Sequence, residues 1–571
     1  MNHSTHSEED LKILRHSAAH LVAHAVTELF PETLLTIGPA TKEGFFYDFL
    51  PKKNFKEDDL ALIEKRMQEI AAQDLPLIHK EISKEEAREL YKDNPFKLEL
   101  IEGIPGDTVG LSVQGEFKDL CRGGHVASTG MLKHTKLLSL AGAYWRADKN
   151  NQVLQRISGT AFFTEQELKA YEQHKLDLLE YDHRKIGKAL DLFSFHDEGV
   201  GFPFFHPRGK QVINTLTAYM RELHREFDYA EIATPTMLSD ELWKRSGHYA
   251  HYHDKMYFCA IDEKSYAVKP MNCPGSLLIY KTRPRSYREL PLKLAEFGHV
   301  HRHELSGVLH GLLRVRAFTQ DDAHIYCMPS QLASELTLLV HIVYTMLNKC
   351  GFTDIQVAIS TKPDNAFSND ALWEQATNAL KQALEDNQKS YVIKEGEGAF
   401  YGPKIEIVIN DSMGRSWQCG TIQVDFFQAE NFDLTYVSAT GTRERPVIIH
   451  QAIFGSLERF FAILLEHYKG TLPFWLAPEQ IRICTITDAQ QEYAHGLYQK
   501  LKAAGVRVSV DKSSDPLAGK IKSAQLEKVP WMLVIGQKEV DNNTITLRYA
   551  TGKQEFGLTI ESLFNKIQDT N

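Results

Sequence analysis

The chain of 571 residues is too long for one hydrophobic core and should divide into roughly three or four domains. Its 43% hydrophobic and 25% charged content are ordinary for a globular protein, which excludes a disordered or low-complexity chain. The net charge of −10 does not advertise a nucleic-acid binder, yet leaves room for a basic groove confined to one face.

Seven scattered cysteines (121, 259, 273, 327, 350, 419 and 484) form no C-x-x-C pair, favouring a reducing compartment and leaving single thiols available for ligation or catalysis. The opening MNHSTHSEEDLKILRHS lacks a basic stretch followed by an apolar core, so no signal peptide is expected. No apolar run approaches the ~18 residues of a membrane span. A cytoplasmic protein is the expectation.

In chain order, residues 9–30 carry apolar positions at helical spacing and stop at Pro31. His16, His20 and His24 are four apart and share one helical face. Further on, DLCRGGHVAS sets Cys121 and His125 around a Gly-Gly turn. Such a set could bind zinc, form a hydrolytic pocket, or be no more than a half-buried histidine stripe beside an unrelated thiol.

Residues 164–190 read as a charged connecting helix with Leu168, Leu176, Leu178 and Leu179 as its apolar contacts. From Gly209 to Pro235 a long helix leads into a short strand, YAEIATP, followed by SGHYAHYHDKMY and the loop KPMNCPGS. Two strands, Phe297–Glu304 and Leu313–Ile325, then form a hairpin of unusual polarity. Alternation puts Arg302 and Glu304 on one face, and Arg314, Arg316, Phe318, Gln320 and Asp322 on one face of the return strand. Cations, a ring face and carboxylates on one surface suit a nucleoside triphosphate; a solvated charged face is the plainer alternative.

Helices at about 330–349 and 367–386 then alternate with strands at 352–360, 390–393, 404–410 and 416–427. This stretch contains Tyr401, Lys404, Gln418 and Gln423, with Gln423 and Asp425 on one strand face. A strand, a turn and a strongly apolar helix follow, with Arg459 near the helix start. An arginine in a buried helix calls for a partner, and phosphate suits it. After Pro473 the order is strand, helix, strand, helix (516–528), strand, then a hairpin around Asn542-Asn543: a compact α/β module.

Arg302-His303-Glu304 followed by a loop and RVRAF resembles motif 2 of the class II aminoacyl-tRNA synthetases. RVRAFTQDDAHIYC is similar to the threonyl family in particular, GSLERF (455–460) to motif 3, and the 209–235 helix and strand to the weaker motif 1. The resemblance implies an α+β multidomain chain: an editing domain (1–163), a connecting helix (164–190), a class II antiparallel-sheet catalytic domain (191–473) and an α/β anticodon-binding domain (474–571). Its implied reaction joins L-threonine to ATP as threonyl-adenylate, then transfers the threonyl group to the 3′ end of tRNA(Thr). The implied partners are tRNA(Thr), threonine, ATP with Mg2+, and a second copy of the chain through motif 1.

By the same resemblance Arg302 and Arg459 take the ATP phosphates, Glu304 the adenine amine and Phe318 the adenine ring. Arg314, Gln418 and Gln423 complete the nucleotide site, with Lys404 in the catalytic set. Cys273, His324 and His450 lie far apart in sequence, and residue by residue each reads as a packed core side chain. They nevertheless fall where the threonyl family holds one zinc ion, with Gln320, Asp322 and Tyr401 beside the amino acid. Valine is nearly isosteric with threonine, and an apolar pocket separates such pairs by only ~10²-fold. A metal taking both amino and hydroxyl groups rejects valine but admits serine, so a second, hydrolytic site is needed. His16, His20, Lys97, Asp119, Cys121 and His125 correspond to it, and no metal is required there in the threonyl branch.

In the last module Glu539 and Arg548 would face the anticodon. Departures from the family pattern are Ser276 in place of histidine, Ser513-Ser514 in place of Arg-Asn, and the expected absence of a small N-terminal β-grasp domain. Two rivals stay open: a synthetase-like regulatory protein that charges no tRNA, and a stand-alone deacylase.

Overall fold

The computed structural model describes residues 6–364, 366 and 369–570, in two compact units, Met1–Asp177 and Leu178–Asn571. In the first unit, helix Glu8–Leu29 starts at a capping box between Ser7 and Asp10, which satisfies its leading N–H groups. Its inner face packs with helix Glu57–Ala72 against a four-stranded antiparallel sheet ordered Leu34–Leu35, Phe45–Leu50, Val153–Phe162, His134–Tyr144. A separate sheet of Leu77–Ser83, Thr108–Gln114 and Phe117–Leu120 carries Asp119 on its last strand.

The second unit is built on an eight-stranded sheet. Its order is Ala230–Glu231, Leu292–His301, Ala317–Cys327, Val447–Ala452, Ser416–Asp425, Lys404–Asn410, Ile355–Ser360, Val392–Lys394. The two outermost pairings are parallel and all others antiparallel. Because pairing fixes which residues stand abreast, one row runs across six strands: Leu294, His324, His450, Gln423, Lys404 and Ser360. Helices Pro207–Glu226, Leu332–Lys349, Asp370–Asp386 and Leu457–His467 contribute to the apolar core with this sheet. The C-terminal module is a five-stranded sheet with its own core, ordered Val508–Val510, Ile481–Thr485, Trp531–Ile535, Ile545–Tyr549, Gln554–Leu558.

Several expectations need correction. The motif 2 strands run Leu292–His301 and Ala317–Cys327, so Arg302, Glu304, Arg314 and Arg316 stand outside them. Short 3-10 turns at Ser306–Val308 and Gly311–Leu313 occupy the connection, which ends the alternation that the sequence suggested. The connecting helix breaks after Glu180 and restarts at His183, where Asp182 caps it. Of its four expected apolar contacts, Leu168 and Leu178 are half-buried but Leu176 and Leu179 are 59% and 65% exposed, and Glu165–Glu180 fully buries no residue. The Asn542-Asn543 hairpin is instead the end of helix Gln537–Asn542, with Asn543 in the left-handed region that terminates a helix. The real hairpin turns between Tyr549 and Gln554. The helix expected from 367 runs Asp370–Asp386; residues 367 and 368, like 1–5 of the opening segment, lie outside the described residues. Among the described residues no helix is long and apolar enough to cross a membrane.

Candidate active site and a second polar cluster

One face of the large sheet floors a cavity of about 640 Å³. Arg302, Glu304, Arg314, Phe318 and Arg459 line it together with Cys273, Gln320, Asp322, Tyr401, Lys404, Gln418, Gln423 and His450. Arg302 is held by donating Nε to the Pro270 carbonyl (3.1 Å), and its guanidinium lies 5.2 Å from the Phe318 ring centroid. Arg459 follows the N-cap Ser456, whose hydroxyl accepts its backbone N–H at 3.1 Å. Its Nε is buried without a hydrogen-bond partner, and no ion pair engages it among the described residues. An arginine so placed keeps its charge for an anion that enters the cavity. Arg316 departs from the expected face: it donates to the carbonyls of Glu304 (2.9 Å) and Val200 (3.1 Å), tying down the loop.

Beside this cavity Cys273, His324 and His450 come together, their ligand atoms all within 4.8 Å of one another. Cys273 is the first residue of helix Cys273–Lys281, while the histidines stand abreast on neighbouring strands. His450 donates Nε2–H to Asp425 Oδ2 at 2.8 Å, which leaves Nδ1 as its free nitrogen. Asp425 is fixed in turn by the N–H groups of Phe427 and Gln428 at 2.8 and 2.9 Å. Such an outer carboxylate is how metal-binding histidines are usually oriented. His324 Nε2 is buried with no hydrogen-bond partner, a costly state that a cation relieves. Burial, then the charges of Asp322 and Asp425, push the Cys273 thiol well above its usual range, so ionisation there needs a cation. These residues fit a metal.

Tyr401 donates its hydroxyl to Gln423 Oε1. Asp322 accepts from Asn272 Nδ2 at 3.3 Å, an approach possible only because Gly298 has no side chain: a Cβ there would lie 2.0 Å from Asn272 Oδ1. Lys404 points along its strand to Glu406 (2.7 Å). Ser276, at the departure noted above, is buried and shares a 2.8 Å hydrogen bond with Tyr326.

In the first unit, His16, His20, Cys121 and His125 also converge, with ligand atoms within 4.8 Å of one another. His16 Nε2 and His125 Nε2 lie 3.0 and 3.1 Å from Cys121 Sγ. Burial alone would raise the Cys121 thiol. Hydrogen bonds from His125, His16 and His20, and the charge of His20, overcome it and bring the group down to about 3. His20 Nδ1 reaches Asp119 Oδ2 at 3.1 Å, and Lys97 Nζ donates to the other oxygen. Burial disfavours His20's charge, but Asp119 and the Cys121 thiolate outweigh it and raise the imidazole to about 9. Asp119 resists its own burial because Lys97 and His20 hold it well below the carboxylate range. Four donors could receive a metal; the thiolate is already matched by the histidines without one. His24, on the same helical face by spacing, is not part of this cluster: it contacts Gln114 (2.8 Å) and Glu28 (3.3 Å) and stacks on Phe117.

In the C-terminal module Glu539 is turned to its own helix start, accepting from Gly536 N–H (2.9 Å) and the Thr546 hydroxyl (2.8 Å). Arg548 stands on Ile545–Tyr549 opposite Met532. Ser513 lies in an exposed loop, its N–H on Asp511 Oδ1 at 2.9 Å.

Residues 257–468 match the model of the tRNA synthetase class II core domain (G, H, P, S and T). Residues 480–570 match an anticodon binding domain, and residues 111–158 the threonyl and alanyl tRNA synthetase second additional domain. The threonine–tRNA ligase of Carboxydothermus hydrogenoformans is 48% identical over 569 residues, covering 98% of this chain and 90% of that one. That of Clostridium tetani is 49% identical over 544 residues, covering 95% and 85%. The chain belongs to the threonine–tRNA ligase family. A crystal structure of the RNA binding domain of threonyl-tRNA synthetase from Cryptosporidium parvum superposes with a TM-score of 0.66 at 41% identity, covering 68% of this chain and 98% of that one. Prolyl-tRNA synthetase from Giardia lamblia, at 20% identity and TM-score 0.53 over 67% and 75%, shares the fold.

Against that family, sequence reasoning missed some residues that touch the expected ones. Tyr47 donates its hydroxyl to Asp119 Oδ2 (2.7 Å), and Ser17 contacts His125 Nδ1 (3.4 Å). Buried His248 lies 3.7 Å from Cys273 Sγ. The signal for Tyr47 was its place in FFYDF: a tyrosine in a buried strand needs a partner for its hydroxyl. His248 carried no such signal.

Proposed function

We propose that the chain is a threonine–tRNA ligase that forms threonyl-adenylate from ATP and L-threonine, releases pyrophosphate, and passes the threonyl group to the 3′-terminal adenosine of tRNA(Thr). The observation that carries this reading is the one cavity that gathers Arg302, Phe318 and Arg459 together with Asp322, Tyr401, His450 and Cys273. Arg302 takes the α-phosphate and Arg459 the γ-phosphate of the Mg2+-bound nucleotide, while Glu304 and Phe318 hold adenine. Arg314, Gln418, Gln423 and Lys404 complete that end. The protein's work is to hold the threonine carboxylate against the α-phosphate and to meet phosphate charge with fixed cations, which needs no covalent catalysis.

Cys273, His324 and His450 would hold zinc; when bound it supplies a Lewis-acid centre with an open position for an amine and a hydroxyl. Asp322 accepts from the substrate hydroxyl, and Gln320 and Tyr401 bracket the amine. Serine keeps both groups, and one missing methyl is worth ~1–3 kcal/mol, too little for faithful translation. His16, His20, Lys97, Asp119, Cys121 and His125 therefore hydrolyse seryl-tRNA(Thr), with histidine orienting water and moving a proton near neutral pH.

We divide the chain into editing (1–163), connecting (164–190), catalytic (191–473) and anticodon-binding (474–571) segments, with Glu539 and Arg548 toward the anticodon. Ala230–Glu231 leaves an exposed sheet edge beside helix Pro207–Glu226, which supports a homodimer through motif 1. The scattered free thiols support a cytoplasmic setting. Pyrophosphate exchange with threonine, serine and valine tests the reading: threonine and, more weakly, serine should drive exchange, and valine should not. Exchange driven equally by valine, or by none, would overturn it.

A further inference from the structure

Behind the cavity, a buried polar knot joins the motif 3 helix to the turn that carries part of the cavity wall. His183 is fully buried at the start of helix His183–Ala189. Its Nδ1 donates to Glu466 Oε1 at 2.6 Å, and the same oxygen accepts the His183 backbone N–H at 2.9 Å. Glu466 Oε2 is paired with Arg415 at 2.5 Å. Glu466 lies seven residues after Arg459 on Leu457–His467, two turns along one helical face. With its proton committed at Nδ1, the ring offers a lone pair at Nε2, and that atom accepts the Leu312 backbone N–H at 3.0 Å. Leu312, Leu313 and Arg314 line the cavity.

Steric fit gives an independent sign of the same contact. Gly311 has φ +47, and a Cβ on it would sit 2.2 Å from His183 Nε2. The turn thus lies directly against the imidazole, at a position where only glycine has room. A buried N–H in an irregular turn must find an acceptor, and no strand partner offers one here.

We propose that His183 is a positioning residue for the reaction: it fixes the turn Gly311–Arg314 relative to the helix carrying Arg459, so that Arg314 and Arg459 meet one polyphosphate from set positions. This rests on the reading of the cavity as an ATP site. Only one tautomer serves, since Glu466 needs a donor at Nδ1 and Leu312 an acceptor at Nε2. The effect belongs to nucleotide positioning through Arg314 and Arg459, and not to the groups assigned to threonine around Cys273, His324 and His450.

The test is pyrophosphate exchange by the full chain, with KM for ATP and for threonine measured separately. His183→Asn keeps a donor near Nδ1 but removes the acceptor, and should raise KM for ATP ~10-fold while moving KM for threonine less than ~2-fold. His183→Gln, which returns an acceptor near Nε2, should recover part of the loss. Gly311→Ala alters neither His183 nor Glu466 but presses against the imidazole, and should raise KM for ATP in the parent. Placed in a His183→Ala background it should add less than it does in the parent, because the ring at 2.2 Å is gone and only Arg184 Cγ at 2.9 Å and the positive φ still resist the new Cβ. Hydrogen exchange at residues 308–314 should quicken in His183→Asn while the rest of the unit stays protected, a readout independent of turnover. Equal shifts in both KM values, multiplicative effects of Gly311→Ala and His183→Ala, or an unchanged KM for ATP beside normal parental exchange would overturn the inference alone. No exchange in the parent would overturn the ATP reading and the inference with it.

Discussion

His324 and His450 stand directly opposite each other on adjacent antiparallel strands, their rings 4.9 Å apart and 82° to one another. Their exposures are 1% and 8%, so two imidazoles share a nearly dry site with the Cys273 thiol. Two buried rings without a shared hydrogen bond are poor core packing, whereas edge-on nitrogens converging with a sulfur make a coordination site.

One zinc per chain is therefore expected by metal analysis. Cys273→Ala, His324→Ala and His450→Ala should each lose the metal and threonine-dependent exchange, while Asp425→Asn should weaken metal affinity ~10–100-fold by releasing His450. Full activity in metal-free protein would defeat the assignment.

Arg459→Ala and Arg302→Ala should lower adenylate formation by ~10²-fold or more, the usual scale for a lost preorganised charge. Arg459 leaves little else behind to explain such a loss, since its Nε makes no hydrogen bond in the chain itself. Exchange rates close to the parent's would remove both residues from the nucleotide site.

His20→Ala with Cys121→Ala should accumulate seryl-tRNA(Thr) while charging threonine at the parental rate. Valine should still be refused, because that choice is made in the other unit. Deacylation of preformed seryl-tRNA decides it; equal rates in parent and double variant would reduce the histidine cluster to packing.

The same cluster has a calculable pH signature. His20 is raised to about 9 from 6.5, so its stabilisation is complete below pH 6.5 and vanishes as pH climbs through about 9. Asp119 is depressed below 3.8, so its contribution is present above 3.8 and is lost only in stronger acid. Hydrogen exchange in helix Glu8–Leu29 should accordingly quicken between pH 6.5 and 9, after correction for the intrinsic pH effect, and less so in Asp119→Asn. A flat corrected profile would show that the pair contributes nothing to holding the helix.

Much of the candidate site was legible because alternation survives wherever a strand is long. Phe318, Gln320 and Asp322 do line the cavity, as period 2 requires. Arg316 was misread because the chain there is not yet a strand, and a rule for strands says nothing about a loop. The convergence of Cys273, His324 and His450 could not come from spacing at all: it depends on pairing between strands more than a hundred residues apart. Residue resemblance supplied what periodicity could not. The connecting stretch is helical as read, but two of its leucines failed as contacts for a different reason: helical leucines imply a partner surface only if something is packed there, and Leu176 and Leu179 face solvent. His183 was passed over because a lone histidine inside a charged helical stretch gives no sign of what it will touch.

The row Leu294, His324, His450, Gln423, Lys404, Ser360 draws one side chain from each of six strands. Side chains alternate faces at every residue, so a single inserted or deleted residue ahead of a row position turns that side chain to the opposite face of the sheet; for His450, Gln423 and Lys404 that is away from the cavity. Insertions in connecting loops that carry no cavity residue escape this penalty; the 302–316 connection does not. A scan of one-residue insertions along the chain should therefore give a barcode: loss of activity within six short windows, tolerance in loops that carry no cavity residue, and partial rescue when two insertions fall on the same side of a row position and so restore its phase.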